Sequence, residues 1–329
     1  MTTLSAARPA GGSVALNALW LLLGLAAALA PLWFLESFHL FQLTMAVIMS
    51  LAVLGLNIVT GYNGQISLGH GAFFAIGAYV TAILMAQADW SFWATLPFAA
   101  ALCGIVGYAV GLPALRLGGL YLALVTFSLA VAVPQLLKHK ALEKWTGGVQ
   151  GLFLLKPDPP SWLPVNVDQY MYLVALAVAA LCFWLVWNLI HGRIGRALMA
   201  TRDHPTAAEA MGMDIAHLKT MAFATSAMVT GVAGSLSAVA VEFVAPDSFT
   251  FLLSISLFVG MVVGGVASIL GSVFGGFFVL FVPNIAESIS KAAPGVIYGV
   301  ILIVFLFALP DGVAGLFRRL ARRLGGRRQ

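Results

Sequence analysis

Asn63, Gln65, Ser67 and His70 cluster within a chain that is otherwise almost continuously apolar around them. An unsatisfied polar group costs several kcal/mol in hydrocarbon, so such residues survive at membrane depth mainly where they face protein or a water-filled cavity. Two chemistries suit them: hydrogen bonding along a solute path, and proton relay through His70. A relay normally recruits further intramembrane acids, and the carboxylates here sit at predicted span ends or in loops. A neutral His70 acting as a hydrogen-bond partner is therefore favoured. The surrounding stretch, Gly61 to Tyr79, reads GYNGQISLGHGAFFAIGAY and is punctuated by glycine. It predicts the start of a broken or kinked helix lining a solute path, as in transporters. Asn57, Tyr62, Gly71 and Tyr79 join the four as candidate path or hinge residues.

Other chemistry is missing. There is no G-x-x-x-x-G-K-[ST] phosphate loop, and no Gly-Lys dipeptide at all; ATP hydrolysis by that mechanism is excluded. Neither H-E-x-x-H nor G-x-S-x-G nor a Cys/His cluster occurs. His191, His204 and His217 recur at thirteen-residue intervals, but gathering them on a metal would need an unrelated fold. Cys103 and Cys182 fall inside apolar runs and read as small core residues. The residues point to no catalytic group, metal or cofactor, and a membrane-embedded enzyme is disfavoured.

The elements that must position the polar cluster follow from composition. Of 329 residues, 61% are hydrophobic and 9% charged, against about 25% charged in a soluble domain. About 20 apolar residues cross a hydrocarbon core of about 30 Å. Ten segments qualify: 14–34, 39–60, 66–86, 93–113, 117–137, 169–190, 219–240, 248–265, 270–286 and 294–310. The expected fold is an all-α, polytopic transmembrane helical bundle with some segments broken or re-entrant. Residues 14–310 form a single membrane domain between a tail at 1–13 and a basic tail at 311–329. Ala28-Leu29-Ala30 looks like a signal-peptide cleavage site, but the apolar run is long, only Arg8 precedes it, and Pro31 follows.

Charge supplies an orientation. With both termini cytoplasmic, Arg8, Arg116, Arg193, Arg196, Arg202, Lys219 and the six tail arginines lie inside. Lys138, Lys140, Lys144, Lys156 and Lys291 lie outside, so every arginine is cytoplasmic, as the positive-inside rule favours. The tail reads as an anchor for the anionic lipid bilayer rather than a nucleic-acid arm.

Small residues recur at four-residue spacing, at Ser226, Thr230, Gly234 and Ala238, and at Gly260, Gly264, Ser268, Ser272 and Gly276. Such stripes let helices pack closely in lipid. Packing inside one subunit is the favoured reading, with a subunit interface or mobile pore helix as the alternative. Val263 to Phe278, with Gly264, Gly265, Ser268 and Gly271, is a second glycine-broken segment that echoes Gly61 to Tyr79 down to a shared G-x-F-F-like ending. Internal duplication with a site between the halves is a common transporter plan.

Between the sixth and seventh segments, residues 191–218 are amphipathic. Pro205 can open a helix with Asp203 as a nearby N-cap, Ala207-Ala208-Glu209-Ala210-Met211 has strong helix propensity, and Gly212 stops it. A helix carrying Glu209 and flanked by Arg202 suits docking on another protein. An interfacial helix lying on lipid explains the composition as well.

At this point several motifs match a known family in order. Gly61 to Tyr79 strongly resembles the signature of branched-chain amino acid ABC importer permeases of the LivM-like type. Thr146 to Leu152, TGGVQGL, looks like that type's external T-G-G-x-x-G motif. Gly195-Arg196-Ala197-Leu198 with Ala207 to Gly212 resembles its cytoplasmic coupling segment, and Gly264 to Gly271 its late G-G-x-x-S-x-x-G turn. The resemblance covers about residues 40 to 310. It implies a bacterial inner-membrane permease that imports hydrophobic amino acids by alternating access, beside a second, related permease. It further implies two cytoplasmic subunits that bind ATP and Mg, and an external solute-binding protein. Arg202, Ala208, Glu209, Ala210 and Gly212 would then couple to an ATPase. One departure stands: Gly212 follows Glu209 by three residues, whereas the wider coupling motif has a distant glycine. Alternatives from the sequence are the same architecture carrying urea or a short amide, and a stand-alone ion-coupled transporter or channel.

Overall fold

A backbone in lipid must satisfy its own hydrogen bonds, and an apolar run does so as a helix. The computed structural model describes residues 29–114, 119–289, 294–309, 312–316 and 319. Helix α1 (Ser37–Leu56) passes into a π-helical turn at Asn57–Tyr62. It is followed by α2 (His70–Ala88), α3 (Phe92–Ala114), α4 (Leu120–Leu137) and α5 (Val167–His191). The chain continues through α6 (Arg193–Asp203), α7 (Pro205–Ala210), α8 (Ile215–Val241), α9 (Phe251–Gly264), α10 (Ile269–Ile289) and α11 (Pro294–Ala308). Local sequence sets several boundaries. Asn166 and Gln169 form a reciprocal capping box at the start of α5, and the Asp214 carboxylate accepts from His217 N–H at the start of α8.

Seven stretches among the described residues are long and apolar enough to span a membrane: Ser37–Tyr62, His70–Ala88, Phe92–Pro113, Val167–His191, Ile215–Val241, Pro246–Gly264 and Ile269–Ile289. Two shorter apolar helices, Tyr121–Leu137 and Gly295–Phe305, occupy two more of the ten expected segments. The remaining expected segment, 14–34, lies mostly outside the described residues, as do the N-terminal tail and about two thirds of the basic tail. Helix α2 has 19 residues, about 28 Å at 1.5 Å per residue, so it is long enough to cross rather than re-enter.

The bundle is built around α1 and α8, each 78% buried over its apolar window, whereas α5 is 28% buried and lies at the periphery. The small-residue stripes explain how. On α8, a Cβ at Gly234 would strike the Phe74 backbone and one at Gly231 the Cys103 side chain, so α2 and α3 close directly upon it. On α9 and α10, Gly260 and Gly264 lie against Gly271 and Gly275, and Gly276 lies against the backbone of Ser50 on α1. Both stripes therefore pack inside this chain.

The two ends of the bundle differ. One gathers the turn after the π-helix, residues 191–214, and the turn joining α9 to α10. Arg193, Arg196, Arg202 and Lys219 lie there. The opposite end carries residues 138–166, where β1 (Leu152–Phe153) pairs antiparallel with β2 (Phe243–Val244), Leu152 opposite Val244. Lys138 pairs with Asp247, and Lys156 bridges Asp168 at 2.9 Å and Glu242 at 3.5 Å. Thr146 donates to the Leu137 carbonyl at 2.8 Å, so the T-G-G motif folds back on the end of α4.

Candidate functional site

The polar cluster is positioned by a defect in α1. Its last six residues form a π-helical turn, in which Asn63 N–H reaches Ile58 O at 3.2 Å and Gln65 N–H reaches Val59 O at 3.0 Å. An inserted residue of this kind re-aims side chains and recurs at functional sites. Here it aims Asn57 across the bundle. Asn57 Nδ2 donates to Ser268 O at 2.9 Å and to Ser272 Oγ at 3.1 Å, while Oδ1 accepts Ala267 N–H at 2.9 Å. Ala267 has φ +55°, a conformation costly for a residue with a Cβ, and the Asn57 amide holds it there. Gly61 leaves room for this clamp, because a Cβ would collide with Asn57 Oδ1 and come within 2.6 Å of Ala267 N. The two segments that echo each other in sequence thus meet in space.

His70, at the start of α2, completes a closed chain of hydrogen bonds. Nε2 lies 2.6 Å from Ser226 Oγ, and Nδ1 lies 3.0 Å from Ser67 Oγ. Ser226 Oγ donates its proton to Gly55 O at 2.6 Å, so the imidazole must donate to Ser226 from Nε2. Nδ1 then accepts from Ser67, which leaves one neutral tautomer that satisfies every partner. With 1% exposure, His70 is packed against Phe73 and Phe223 rather than facing a cavity. The start of α2 is fixed from two further helices: Ser254 Oγ on α9 accepts Gly71 N–H at 2.9 Å, and Thr126 Oγ1 on α4 accepts Leu68 N–H at 2.9 Å.

Gln65 ties the intervening loop to α8. Its Nε2 donates to Asn63 Oδ1 at 2.8 Å and to Lys219 O at 3.2 Å. Asn63 is buried, and its Nδ2 has no hydrogen bond among the described residues. Tyr62 is also buried in this region. Tyr79 lies apart, well along α2, its ring 6.0 Å from that of Phe249.

The expected path residues are therefore brought together, but they are turned into protein. Asn57, Asn63, Ser67 and His70 are each at most 2% exposed. What they form is a junction at which α1, α2, α4, α8, α9 and α10 are hydrogen-bonded to one another.

The segment 191–214 reaches that junction through one residue. Arg202 Nη1 donates to Gly61 O at 2.8 Å, and its Nε donates to Asp203 Oδ1 at 2.8 Å. Gly64, at φ +77°, lies so close to the Arg202 stem that a Cβ would come within 2.6 Å of Cγ. The hydrogen bond from Arg202 holds the Asp203 carboxyl below its ordinary range. Asp203 is thus the last residue of α6 rather than the expected N-cap of α7. That position belongs to His204, whose side chain makes no capping hydrogen bond. Short-range pairing with Arg202 takes up the carboxylate instead. On α7, Ala208 is buried, Glu209 and Ala210 are exposed, and Gly212 at φ +81° turns the chain away. Met211 beside them is 80% exposed.

Sequence reasoning found one side of this junction better than the other. Ser226 and Ser272 appear in the sequence only as members of packing stripes, yet they bond His70 and Asn57. Ser254 and Thr126 carry no local signal; each is a lone hydroxyl in an apolar run. Among the described residues, no three His, Cys, Asp or Glu side chains are placed to hold a metal ion.

Residues 38–309 match the family described as the branched-chain amino acid transport system permease component. The high-affinity branched-chain amino acid transport system permease protein LivM of Salmonella typhimurium is 34% identical over 232 residues, covering 63% of this chain and 54% of that protein. LivM of Escherichia coli K12 is 34% identical over 236 residues with the same coverage. The chain thus spans about half the length of these curated relatives. No solved structure matches the chain.

Proposed function

Because the chain belongs to the branched-chain amino acid transport permease family, we propose that it is the membrane subunit of an ATP-driven importer that moves branched-chain, hydrophobic amino acids by alternating access. A second, related permease stands beside it in a bacterial inner membrane. Two cytoplasmic subunits bind ATP and Mg, and an external solute-binding protein delivers the solute. This chain supplies no ATPase site of its own; it supplies membrane helices and the hinge that joins them.

The observation that carries the reading is the bond from Arg202 to Gly61. Helix α7 exposes Glu209, and beside it Met211, at the bundle end that gathers Arg193, Arg196 and Arg202; the positive-inside rule favours that end as cytoplasmic, where an ATPase would dock. Force applied there passes along α6 to Arg202 and onto the carbonyl of Gly61 at the end of the π-turn. From the π-turn, Asn57 carries it to the turn between α9 and α10. The helices that must reorient are those that this junction holds together.

Reconstitution tests the proposal. Vesicles holding this chain, its partner permease and both ATPases, supplied with the binding protein, take up leucine only with internal ATP. Uptake by this chain alone, driven by a proton or sodium gradient, would contradict it.

A further inference from the structure

The junction leaves no room for an amino acid, since Asn57, Ser67 and His70 are at most 1% exposed and their polar atoms are taken up: Asn57 is bonded to Ser272, Ser67 and His70 to each other, and His70 also to Ser226. Space of the right size lies elsewhere. A groove of about 560 Å³ runs between the first turns of α1 and the last turns of α10, within the range of about 300–1,000 Å³ usual for small-molecule sites. Its apolar wall is Phe38, Phe41, Met45 and Leu280. The same groove is lined by the amides of Gln42 and Asn284, the carboxylate of Glu287 and the hydroxyl of Ser288. Both α1 and α10 meet the Asn57 clamp at their other ends, so Gln42 and Glu287 each stand about 22 Å along their helices from it.

The combination of groups is informative. A carboxylate and two amides gathered beside an apolar wall at the ends of two apolar helices can contact a polar species. Asn284 and Glu287 are exposed, Gln42 is half-buried, and all three line the groove. A free ammonium group complements the carboxylate, amide N–H groups complement a carboxylate, and the aromatic and Met surface complements an aliphatic chain. One class of solute presents all three: a zwitterionic amino acid with an apolar side chain.

We propose that this groove is a solute-contact site, in which Glu287 receives the α-ammonium group, Gln42 and Asn284 hold the α-carboxylate, and Phe41, Met45 and Leu280 receive the aliphatic side chain. The assignment rests on the permease reading above. It separates the site that touches solute from the junction that moves it, by most of the length of α1.

Two measurements on the assembled importer in vesicles test it. Glu287→Gln lowers the maximal rate of ATP-driven leucine uptake about tenfold or more, the loss expected for a charge-assisted hydrogen bond. Glu287→Asp retains most of the rate, and both variants keep their ATPase partners. In a Gln42→Cys variant, a water-soluble thiol reagent reacts during turnover, and saturating leucine slows it severalfold. Gln42→Cys that reacts equally with and without leucine, or never reacts because protein or lipid covers the groove, overturns the site. So does wild-type uptake by Glu287→Gln. Failure of the unmodified assembly to take up leucine with ATP would instead remove the permease reading and the site with it.

Discussion

Arg202 donates to the carbonyl oxygen of Gly61 at 2.8 Å, joining a short helix at one end of the bundle to the π-turn that breaks its central helix. Gly61 is the fifth residue of that turn, and its carbonyl points away from the helical ladder, where a cation is favoured. Arg202 thus holds a helix end, while Glu209, seven residues on, is exposed. The two residues, which the sequence places in one candidate docking segment, have different surroundings: Arg202 is bonded to the π-turn and Glu209 is exposed.

Charge reversal separates them. Glu209→Lys reduces co-purification of the ATPase subunits, while Arg202→Ala leaves co-purification and membrane insertion unchanged. The stability cost of Arg202→Ala is small, about 1 kcal/mol or less, because the side chain is 32% exposed. Pull-down yields and thermal melting check both statements. Loss of ATPase binding in Arg202→Ala would reassign it to the docking surface.

Asn57→Ala strands Ala267 N–H, while Ser268 O keeps the backbone and hydroxyl of Ser272 at the start of α10. Leaving buried groups unpaired costs about 1–3 kcal/mol each, offset in part by relaxation. A net loss of about 1–3 kcal/mol is expected, read as a lowered melting temperature in detergent. Asn57→Asp keeps the Ala267 bond but turns a buried carboxylate oxygen toward Ser268 O, so it is no more stable than Asn57→Ala.

Helix contact makes Gly276→Leu severe and Gly295→Leu mild. A Cβ at Gly276 would collide with the Ser50 backbone, forcing α10 from α1, whereas nothing lies within 4 Å of Gly295. Overpacking of the first kind costs about 1–3 kcal/mol or more. Comparative yields of folded, monodisperse protein report the difference.

His70 should add little to the pH dependence of transport between about 6 and 8. His70 is neutral in a single tautomer set by Ser67 and Ser226. Asp203 has its carboxyl lowered, first by the Arg202 hydrogen bond. A lowered folded value means its contribution is complete above the ordinary carboxylate range and fades only as pH falls through that lowered value. His70→Gln therefore leaves the shape of the pH–uptake curve unchanged while reducing its height. A displaced curve would restore a proton-relay role.

Much of this arrangement is legible in the sequence, for identifiable reasons. Hydropathy places most of the membrane segments because length and apolarity are local properties. The cluster at Asn63, Gln65, Ser67 and His70 announces itself by cost, and the recurrence of glycine turns at Gly64 and Gly265 announces a break. Which way those polar groups turn is a matter of partners far along the chain. Ser226 lies 156 residues from His70, and Ser272 lies 215 from Asn57. No periodicity encodes such pairings, so a path wall and a sealed junction look alike until the helices are assembled. Asp203 shows the reverse error: its local cap signal is correct chemistry, but Arg202 next to it competes and wins.

The central claim is that the docking helix drives the glycine turns through Arg202. Its most direct test is leucine uptake per ATP hydrolysed in vesicles containing the assembled importer, wild type against Arg202→Ala. The account predicts ATP hydrolysis near the wild-type rate with uptake per ATP reduced severalfold. Uptake per ATP equal to wild type would contradict it.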